Sequence, residues 1–446
     1  GDGEMRNEVW VIFLSMLVSS ACVAVLIFRT LGNSATGWVA LLLANLAIFT
    51  LLQYQNLCWG IQTGMLLPQM FLCIALVTLH SRVRIAGKLA VAALASLAAS
   101  FCFTHGLVVW LVVLGWFLLD PMGLNRNRRR ILLVGWTLLS AGVFAFYFQD
   151  LSSTSSPAHS YFQAPGKAPP GWDGMARGRC EVEKVIEYGF LLLGSQFSRF
   201  VFLPPRFLAA GVGILQVGLF VLLSVGGIAG VVLAGRRKRE PAVAWRDLLP
   251  WLALGGFVVA TALVMALGRA HISVGRAMSP RYLSITLYLT VALVGLVPLL
   301  GRLIVAGWPR IRDVLRPAGW MVAGFLVALQ GWNQLYGERS LQVWNASRWQ
   351  SLMTLAFADY SPPIYEKRLD FDGEITREQV RKLKSFGCFE HLPDPIPPNG
   401  FSEFRISRRE LDGTRAGILR NRSTKAGWHL AGFADTRSAM HRVPDG

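Results

Sequence analysis

Long runs of uncharged, apolar residues alternate with short polar segments along the 446 residues of this chain. Most runs approach the ~20 residues with which an α-helix crosses the hydrocarbon core of a bilayer. The pattern therefore predicts an all-α polytopic membrane protein with about ten transmembrane helices. These helices are predicted at 9–28, 35–52, 57–79, 85–104, 106–119, 131–148, 207–234, 248–267, 282–301 and 318–336.

One further apolar run, at 188–207, is interrupted by polar and helix-breaking residues. Arg199 lies inside it, and Pro204 and Pro205 lie near its end. Proline removes a backbone donor and disrupts the interior of a helix, and lipid-exposed irregular backbone is not tolerated in the hydrocarbon. This run is therefore predicted to be an interfacial or re-entrant element and not an additional span.

The composition agrees with a membrane protein. Hydrophobic residues make up 53% of the chain and charged residues 16%, and the mean hydropathy is +0.44, whereas a soluble domain is about 25% charged. The formal net charge is +18, and much of it falls between the predicted helices. Basic residues in such places fix membrane orientation and contact anionic lipid, so the charge does not indicate nucleic-acid binding.

The distribution of these basic residues predicts the orientation of the chain. Alternate loops share one side of the membrane, and cytoplasmic loops accumulate Lys and Arg. One set of alternate loops is strongly basic and is therefore predicted to be cytoplasmic. These loops are 29–34, 81–88, 120–130, 235–247 and 302–317. The N-terminus, the loops at 149–206 and 268–281, and the tail after about 337 are then external.

The chain is predicted to divide into a transmembrane domain, 1–337, and a small external C-terminal region of α+β type, 338–446. Helices are expected in this tail near 340–360 and at 376–387, and short strands within 402–411 and 426–435. Cys180 and Cys388 both lie on predicted external segments, and the sequence leaves open whether they form a disulfide.

The first residues, GDGEMRNEVW, lead directly into the first apolar run. An external start at this point predicts that a further helix precedes it in a full-length form with eleven spans. Asp2 and Glu4 would then belong to the first external loop, close to the membrane surface.

The segment GRAHISVGRAMSPRY, 268–282, contains Arg269, His271, Arg276 and Arg281 and no acidic residue. A short external loop with this charge departs from the positive-inside trend. Guanidinium groups match phosphate oxygens bidentately, so the loop is a candidate phosphate site. Arginines that only anchor the next helix by reaching lipid headgroups would explain the same charge.

Amide and aromatic side chains gather at the predicted external mouth of two helices. In the segment YQNLCWGIQ, Gln55, Asn56, Trp59 and Gln62 could offer a sugar hydrogen bonds and an indole face. An interfacial aromatic belt accounts for Trp59 but not for the clustered amides. His105, in the turn THG, is a candidate for orienting a substrate or carrying a proton, or for a structural role.

Together these features resemble the C-type (GT-C) integral-membrane glycosyltransferases, which use sugars linked to polyprenyl phosphate. The similarity is greatest to bacterial members, through short patterns that occur in the same order over most of 1–340. These patterns are EMR at 4–6, YQNLCWGIQ at 54–62, SFCFTHGLVVW at 100–110 and SPRY at 279–282. The chain departs from the family at Pro280, which separates Ser279 from Arg281, and in its acidic DD or DxD-like element, which is either absent or survives only as Asp2-Gly3-Glu4.

The resemblance implies transfer of a sugar from a polyprenyl-phosphate donor to a glycan or lipid acceptor of the cell envelope, in a bacterial inner (plasma) membrane. Such a reaction needs a carboxylate to accept the hydroxyl proton or to hold a divalent metal, Mg²⁺ or Mn²⁺, and cations to stabilise the departing phosphate. Glu4 is the expected carboxylate, with Asp2 as a second. Arg276 and Arg281, with Arg269 behind them, are the expected phosphate ligands.

Two other classes of function stay open. An O-antigen polymerase or ligase would also keep arginines in external loops. A lipid or polysaccharide transporter would keep charged or helix-breaking residues near the middle of the membrane. The predicted spans contain almost no ionisable residues, and their polar clusters lie at the predicted external rim, which favours chemistry at the outer leaflet.

Overall fold

The structure is a computed structural model that describes most of the transmembrane domain and three strands of the tail. The described residues are 2–58, 62–120, 124–149, 179–197, 205–236, 243–270, 273–356, 405–411, 414–420 and 429–433. Within these ranges, the side chains of 2–6, 179–181, 234–236, 346–356 and the strands are not described.

The described residues form twelve α-helices, joined in several places by short 3₁₀ turns. The helices are α1 (Asp2–Leu31), α2 (Ala35–Ile48), α3 (Tyr54–Cys58), α4 (Thr63–His80), α5 (Ile85–Cys102), α6 (Val108–Leu119), α7 (Arg126–Phe148), α8 (Arg179–Gly194), α9 (Pro205–Arg236), α10 (Trp245–Arg269), α11 (Leu283–Gly307) and α12 (Arg312–Ala356). The 3₁₀ turns are Leu51–Gln53, Thr104–Leu107, Ser195–Phe197, Val274–Met278, Pro280–Tyr282 and Pro309–Ile311.

This architecture is that of an all-α polytopic membrane protein. Nine helical segments in the described part of the chain are long and apolar enough to cross a membrane. The tenth predicted span, 106–119, corresponds to the shorter apolar helix Thr104–Leu119. Its α-helical part, α6, has 12 residues, or ~18 Å of helix, which is less than the ~30 Å hydrocarbon core. Of the ten spans predicted from the sequence, the one at 106–119 is therefore too short to cross the membrane as an α-helix.

Large apolar side chains cover the outside of the bundle. Phe207, Ile131 and Trp10 are 78%, 72% and 72% exposed. Soluble proteins seldom expose contiguous apolar surface on this scale, whereas lipid solvates it. The core lies between α1, α4, α10 and α11, where Trp251 and Tyr282 are fully buried.

The chain separates into two compact units, Asp2–Glu338 and Arg339–Gly446. The predicted boundary at 337/338 falls inside α12, which runs on without a break to Ala356. In the second unit, β1 (Arg405–Leu411), β2 (Thr414–Arg420) and β3 (His429–Phe433) form an antiparallel sheet in the order β1-β2-β3. The predicted helix at 376–387 and Cys388 lie outside the described residues.

Basic side chains close the carboxyl-terminal ends of several helices at one end of the bundle. Arg302 donates to the carbonyls of Thr30, at 3.2 Å, and Leu31, which end α1. The last turn of α4 is closed in the same way by Lys88, whose Nζ lies 2.8 Å from the carbonyl of Leu79. A helix end leaves four carbonyls without intrahelical partners, and cations there also interact favourably with the helix dipole. We call this end the capped end.

The capped end also holds the one salt bridge among the described residues. Arg246, at the start of α10, bonds Asp120 at 3.2 Å, and Trp245 donates to the carbonyl of Leu119 at 2.9 Å. Arg129 donates to the carbonyl of Leu118. These contacts join the end of α6 to the starts of α7 and α10.

Helices α8 and α9 cross at van der Waals distance because glycines occupy the crossing. A Cβ atom on Gly213 would lie 2.0 Å from the carbonyl oxygen of Phe190, and one on Gly194 would lie 1.8 Å from that of Ala209. The predicted interfacial run 188–207 thus contains the end of α8 and the start of α9. Its interrupting residues Arg199 and Pro204 lie outside the described part of the chain.

We expect Gly213→Ala to destabilise the protein by ~1–3 kcal/mol, because the methyl group cannot fit against the backbone of α8. Gly211→Ala is the matched control, since it lies on the same helix with nothing within 4 Å of its Cβ position. Thermal unfolding in detergent micelles measures both. Equal melting temperatures for the two variants would contradict the close crossing.

Candidate functional site

The predicted phosphate loop folds as two consecutive 3₁₀ turns at the end of the bundle opposite to the capped end. The amide of Ser279 donates to the carbonyl of Arg276 at 3.1 Å, and the amide of Tyr282 donates to that of Ser279 at 3.0 Å. Ala277, Pro280 and Tyr282 are buried, so apolar packing fixes the loop. We call residues 273–282 the arginine loop; His271 precedes it, outside the described residues.

Two of the predicted sugar-binding amides hold the arginine loop in place. Asn56, which is fully buried on α3, donates from Nδ2 to the carbonyl oxygen of Arg281 at 2.9 Å. Ser279 donates from Oγ to Oε1 of Gln55 at 3.3 Å. The structure therefore brings Gln55 and Asn56 to the arginines as anchors of the loop. Asn56 Oδ1 is buried and has no protein partner among the described residues.

Arg269 and Arg281 share the aromatic ring of Tyr282. Their guanidinium carbons lie 5.4 and 5.0 Å from the ring centroid, within the range of cation–π attraction. Arg269 also donates a hydrogen bond to the Tyr282 hydroxyl. Arg281 keeps its Nε buried without a hydrogen-bond partner in the described part of the chain. Both arginines are half-buried, which makes their positive charge more effective than that of a solvated side chain.

Tyr188 of α8 packs beside this pair. It is fully buried and lies within electrostatic range of Tyr282, Arg269 and Arg281. Burial raises the pKa of Tyr188 to about 12, so the phenol stays protonated and neutral at physiological pH. It adds a hydrogen-bonding hydroxyl to the site without neutralising the arginines.

A fourth arginine, Arg206, joins the site from the first turn of α9. A Cβ atom on Gly275 would lie 3.2 Å from its Nη2, so its guanidinium lies against the arginine loop beside Arg276. Arg206 and Arg276 are both exposed. Sequence reasoning missed Arg206 because it was counted within the interrupted run; its position directly after Pro204-Pro205, at the start of a helix, is the signal that was available.

Within the described part of the chain, the four arginines form no ion pair with an acidic residue. No salt bridge in the described ranges joins Arg206, Arg269, Arg276 or Arg281 to a carboxylate. The contrast with the capped end is clear, because there Arg302, Lys88 and Arg129 bond to backbone carbonyls. The site is therefore a strongly positive, partly buried surface that can bind an anion.

His105 is buried between helices, and its hydrogen-bonding and ring contacts are with residues outside the arginine loop. Its Nε2 lies 3.4 Å from the amide nitrogen of Gln69, and its ring packs near Phe103 and Phe257. It is 2% exposed and contacts no carboxylate in the described part of the chain. These surroundings favour a positioning role over proton transfer.

Of the remaining predicted site residues, the structure describes the side chain of Gln62 but not those of Trp59, Asp2 and Glu4. Gln62 precedes α4 and is 7% exposed. Trp59 lies outside the described residues. Asp2 and Glu4 begin α1, but their side chains are not described. The structure thus unites the three predicted arginines with Gln55 and Asn56, and leaves the position of the two carboxylates relative to them as a prediction.

The described side chains of the site do not supply a set of metal ligands. No group of three or more His, Cys, Asp or Glu that could hold a metal ion occurs within the described residues. Hard divalent cations prefer carboxylate oxygens, and at this end of the bundle the predicted carboxylates are Asp2 and Glu4. A Mg²⁺ or Mn²⁺ site would depend on them.

No protein-family model matches this chain, and no curated protein or solved structure matches it.

Loss of the Asn56 anchor should loosen the arginine loop. We expect Asn56→Ala to speed backbone hydrogen exchange at Ser279 and Tyr282 by about fivefold, the equivalent of the ~1 kcal/mol that one hydrogen bond contributes. Thr104→Ala, which removes an exposed hydroxyl bonded to Tyr147, serves as the control. Exchange that is unchanged in the Asn56→Ala protein would show that the anchor does not hold the loop.

Proposed function

We propose that this protein is a membrane glycosyltransferase of the GT-C type, which transfers a sugar from a polyprenyl-phosphate donor to an acceptor of the cell envelope. One observation carries the proposal. Basic side chains at the capped end bond to helix carbonyls, whereas the arginines at the opposite end cluster without a salt bridge to any carboxylate whose side chain the structure describes. Such a cluster is suited to a phosphate group.

The electrostatic cost of the cluster supports an anionic ligand. The guanidinium carbons of Arg269 and Arg281 are at most about 10 Å apart, since both lie close to the Tyr282 ring. At an effective dielectric constant of ~20, two like charges at this separation repel by ~2 kcal/mol. A phosphate between them converts this repulsion into two charge-assisted interactions.

In the proposed reaction, the acceptor hydroxyl oxygen forms a bond to the anomeric carbon of the donor sugar. The bond from that carbon to the phosphate oxygen breaks, and its electron pair leaves with the lipid phosphate. Arg269, Arg276 and Arg281 stabilise the negative charge on the departing phosphate. Glu4 accepts the hydroxyl proton, with Asp2 as the second carboxylate.

The sugar-binding residues predicted from the sequence extend the proposal to the sugar end of such a donor. Gln62 and Trp59 are the proposed contacts to sugar hydroxyls and to the ring face. Gln55 and Asn56 position the arginine loop beside them. The proposal places the arginine loop on the periplasmic side of a bacterial inner membrane, as the distribution of basic loops predicts.

A transporter is the second candidate, favoured by one polar cluster inside the bundle. Gln196 and Gln216 both donate to the hydroxyl of Thr290, at 2.7 and 3.4 Å. Gln196 is fully buried, and polar groups at this depth often mark substrate pathways.

We expect Glu4→Gln and Arg281→Gln each to reduce sugar transfer roughly 100-fold or more, because each removes a group that acts in the transition state. Membranes that contain the protein and a radiolabelled polyprenyl-phosphate sugar would be assayed for label in envelope acceptors. Arg128→Gln, an exposed arginine at the capped end, is the control and should leave transfer unchanged.

Two results would overturn this function. The first is donor turnover that is unaffected in both variants. The second is label that crosses sealed vesicles without joining an acceptor, which would favour the transporter. Transfer of a preassembled polysaccharide block, and not of a single sugar, would instead identify a polymerase or ligase.

A further inference from the structure

The four arginines fall into two pairs with different surroundings. The inner pair, Arg269 and Arg281, is half-buried and rests on Tyr282. The outer pair, Arg206 and Arg276, is exposed and flanks Gly275 on the first turn of the arginine loop. The two consecutive 3₁₀ turns of the arginine loop connect the two pairs, since Arg276 lies in the first turn and Arg281 in the second.

The two guanidinium groups of the inner pair are sufficient to bind one phosphate. A phosphodiester carries one negative charge and two free oxygens, and a guanidinium group offers a two-pronged set of donors to such a group. Two half-buried guanidinium groups therefore already exceed the charge of a single phosphodiester. The outer pair adds two further cations for which a monophosphate donor has no matching oxygen.

We propose that the donor phosphate is a diphosphate, a lipid-linked sugar diphosphate, with one phosphate on the inner pair and the other on the outer pair. This inference rests on the proposed function and specifies its donor. A diphosphate diester carries two negative charges and free oxygens on both phosphorus atoms, so each pair receives one phosphate.

The placement of Arg206 supports this division. It approaches the loop from a different helix, α9, whose start is held by the glycine crossing with α8. An arginine that only anchored its own helix in lipid headgroups would gain nothing by lying against Gly275. The backbone of α9 and of the two 3₁₀ turns fixes the points from which the two outer side chains extend, which lowers part of the entropic cost of binding.

The test compares two ligands that differ by one phosphate. Farnesyl monophosphate and farnesyl diphosphate have the same hydrocarbon, so the apolar contribution to binding cancels. Full-length protein in phosphatidylcholine nanodiscs would be titrated with each ligand, as wild type, as Arg206→Gln/Arg276→Gln and as Arg269→Gln/Arg281→Gln. Arg128→Gln is the control for the loss of an exposed positive charge.

We expect the wild type to bind the diphosphate about tenfold more tightly than the monophosphate, because the second phosphate gains its own charge-assisted contacts. The outer-pair variant should lose this preference and bind both ligands with similar affinity. The inner-pair variant should bind both weakly. Thermal unfolding of each variant checks that the exposed and half-buried substitutions leave the fold intact.

A wild type without preference for the diphosphate, or a preference that survives in the outer-pair variant, would overturn the inference while leaving the proposed function standing. Failure to bind either ligand would overturn both. Inorganic pyrophosphate that competes as strongly as farnesyl diphosphate would indicate a soluble ligand and not a lipid-linked one. Equal competition by phosphatidylglycerol would show that the arginines bind ordinary headgroups.

Discussion

Backbone carbonyls at the ends of membrane helices need hydrogen-bond donors, and in this protein basic side chains supply many of them. The guanidinium group of Arg302 reaches from α11 to the end of α1, and Lys88 reaches from α5 back to the end of α4. Each contact satisfies a group that lipid cannot solvate and ties two helices together. The same residues carry the charge that orients the chain, so one chemical feature serves both purposes.

Among the described residues, no basic side chain at the opposite end is seen to cap a helix in this way. The helices at that end are joined by polar contacts between neutral groups, of which Asn56 to Arg281 and Ser279 to Gln55 are the central ones. The arginines that lie there keep most of their hydrogen-bonding capacity. Exposed arginines such as Arg128 also lie at the capped end, but the half-buried pair of arginines packed on one aromatic ring, Arg269 and Arg281, lies at the opposite end.

Much of the bundle could be predicted from hydropathy, but the site could be predicted only in part. The apolar runs placed most helices, since the thickness of the bilayer sets their length. Contacts across long sequence separations had no local signal: Asn56 and Arg281 lie 225 residues apart. Arg206 was missed because two prolines suggested a break, whereas proline is tolerated in the first turn of a helix, and Pro205 begins α9.

The end of the last predicted span shows a limit of locating helix ends from hydropathy alone. Polar residues after 336 suggested a boundary, yet α12 continues through them. Within the predicted span, Gln334 accepts from the amide of Leu51 at 2.9 Å and donates to the carbonyl of Leu46 at 3.2 Å, which satisfies backbone groups left free where α2 ends. A polar residue inside an apolar run can thus mark a contact between helices.

Tyr282 connects the fold to the proposed chemistry. Its ring is fully buried, and it directly precedes α11, so its position is set by core packing and not by the ligand. Two guanidinium groups rest within 5.4 Å of that ring, and the attraction of each to the ring, ~0.5–2 kcal/mol, offsets their mutual repulsion of ~2 kcal/mol. This attraction lowers the cost of holding the two arginines close together, and no carboxylate among the described side chains forms a salt bridge with them. A site built in this way is ready for an anion before one arrives, because the aromatic ring holds the charges in place and leaves them unneutralised.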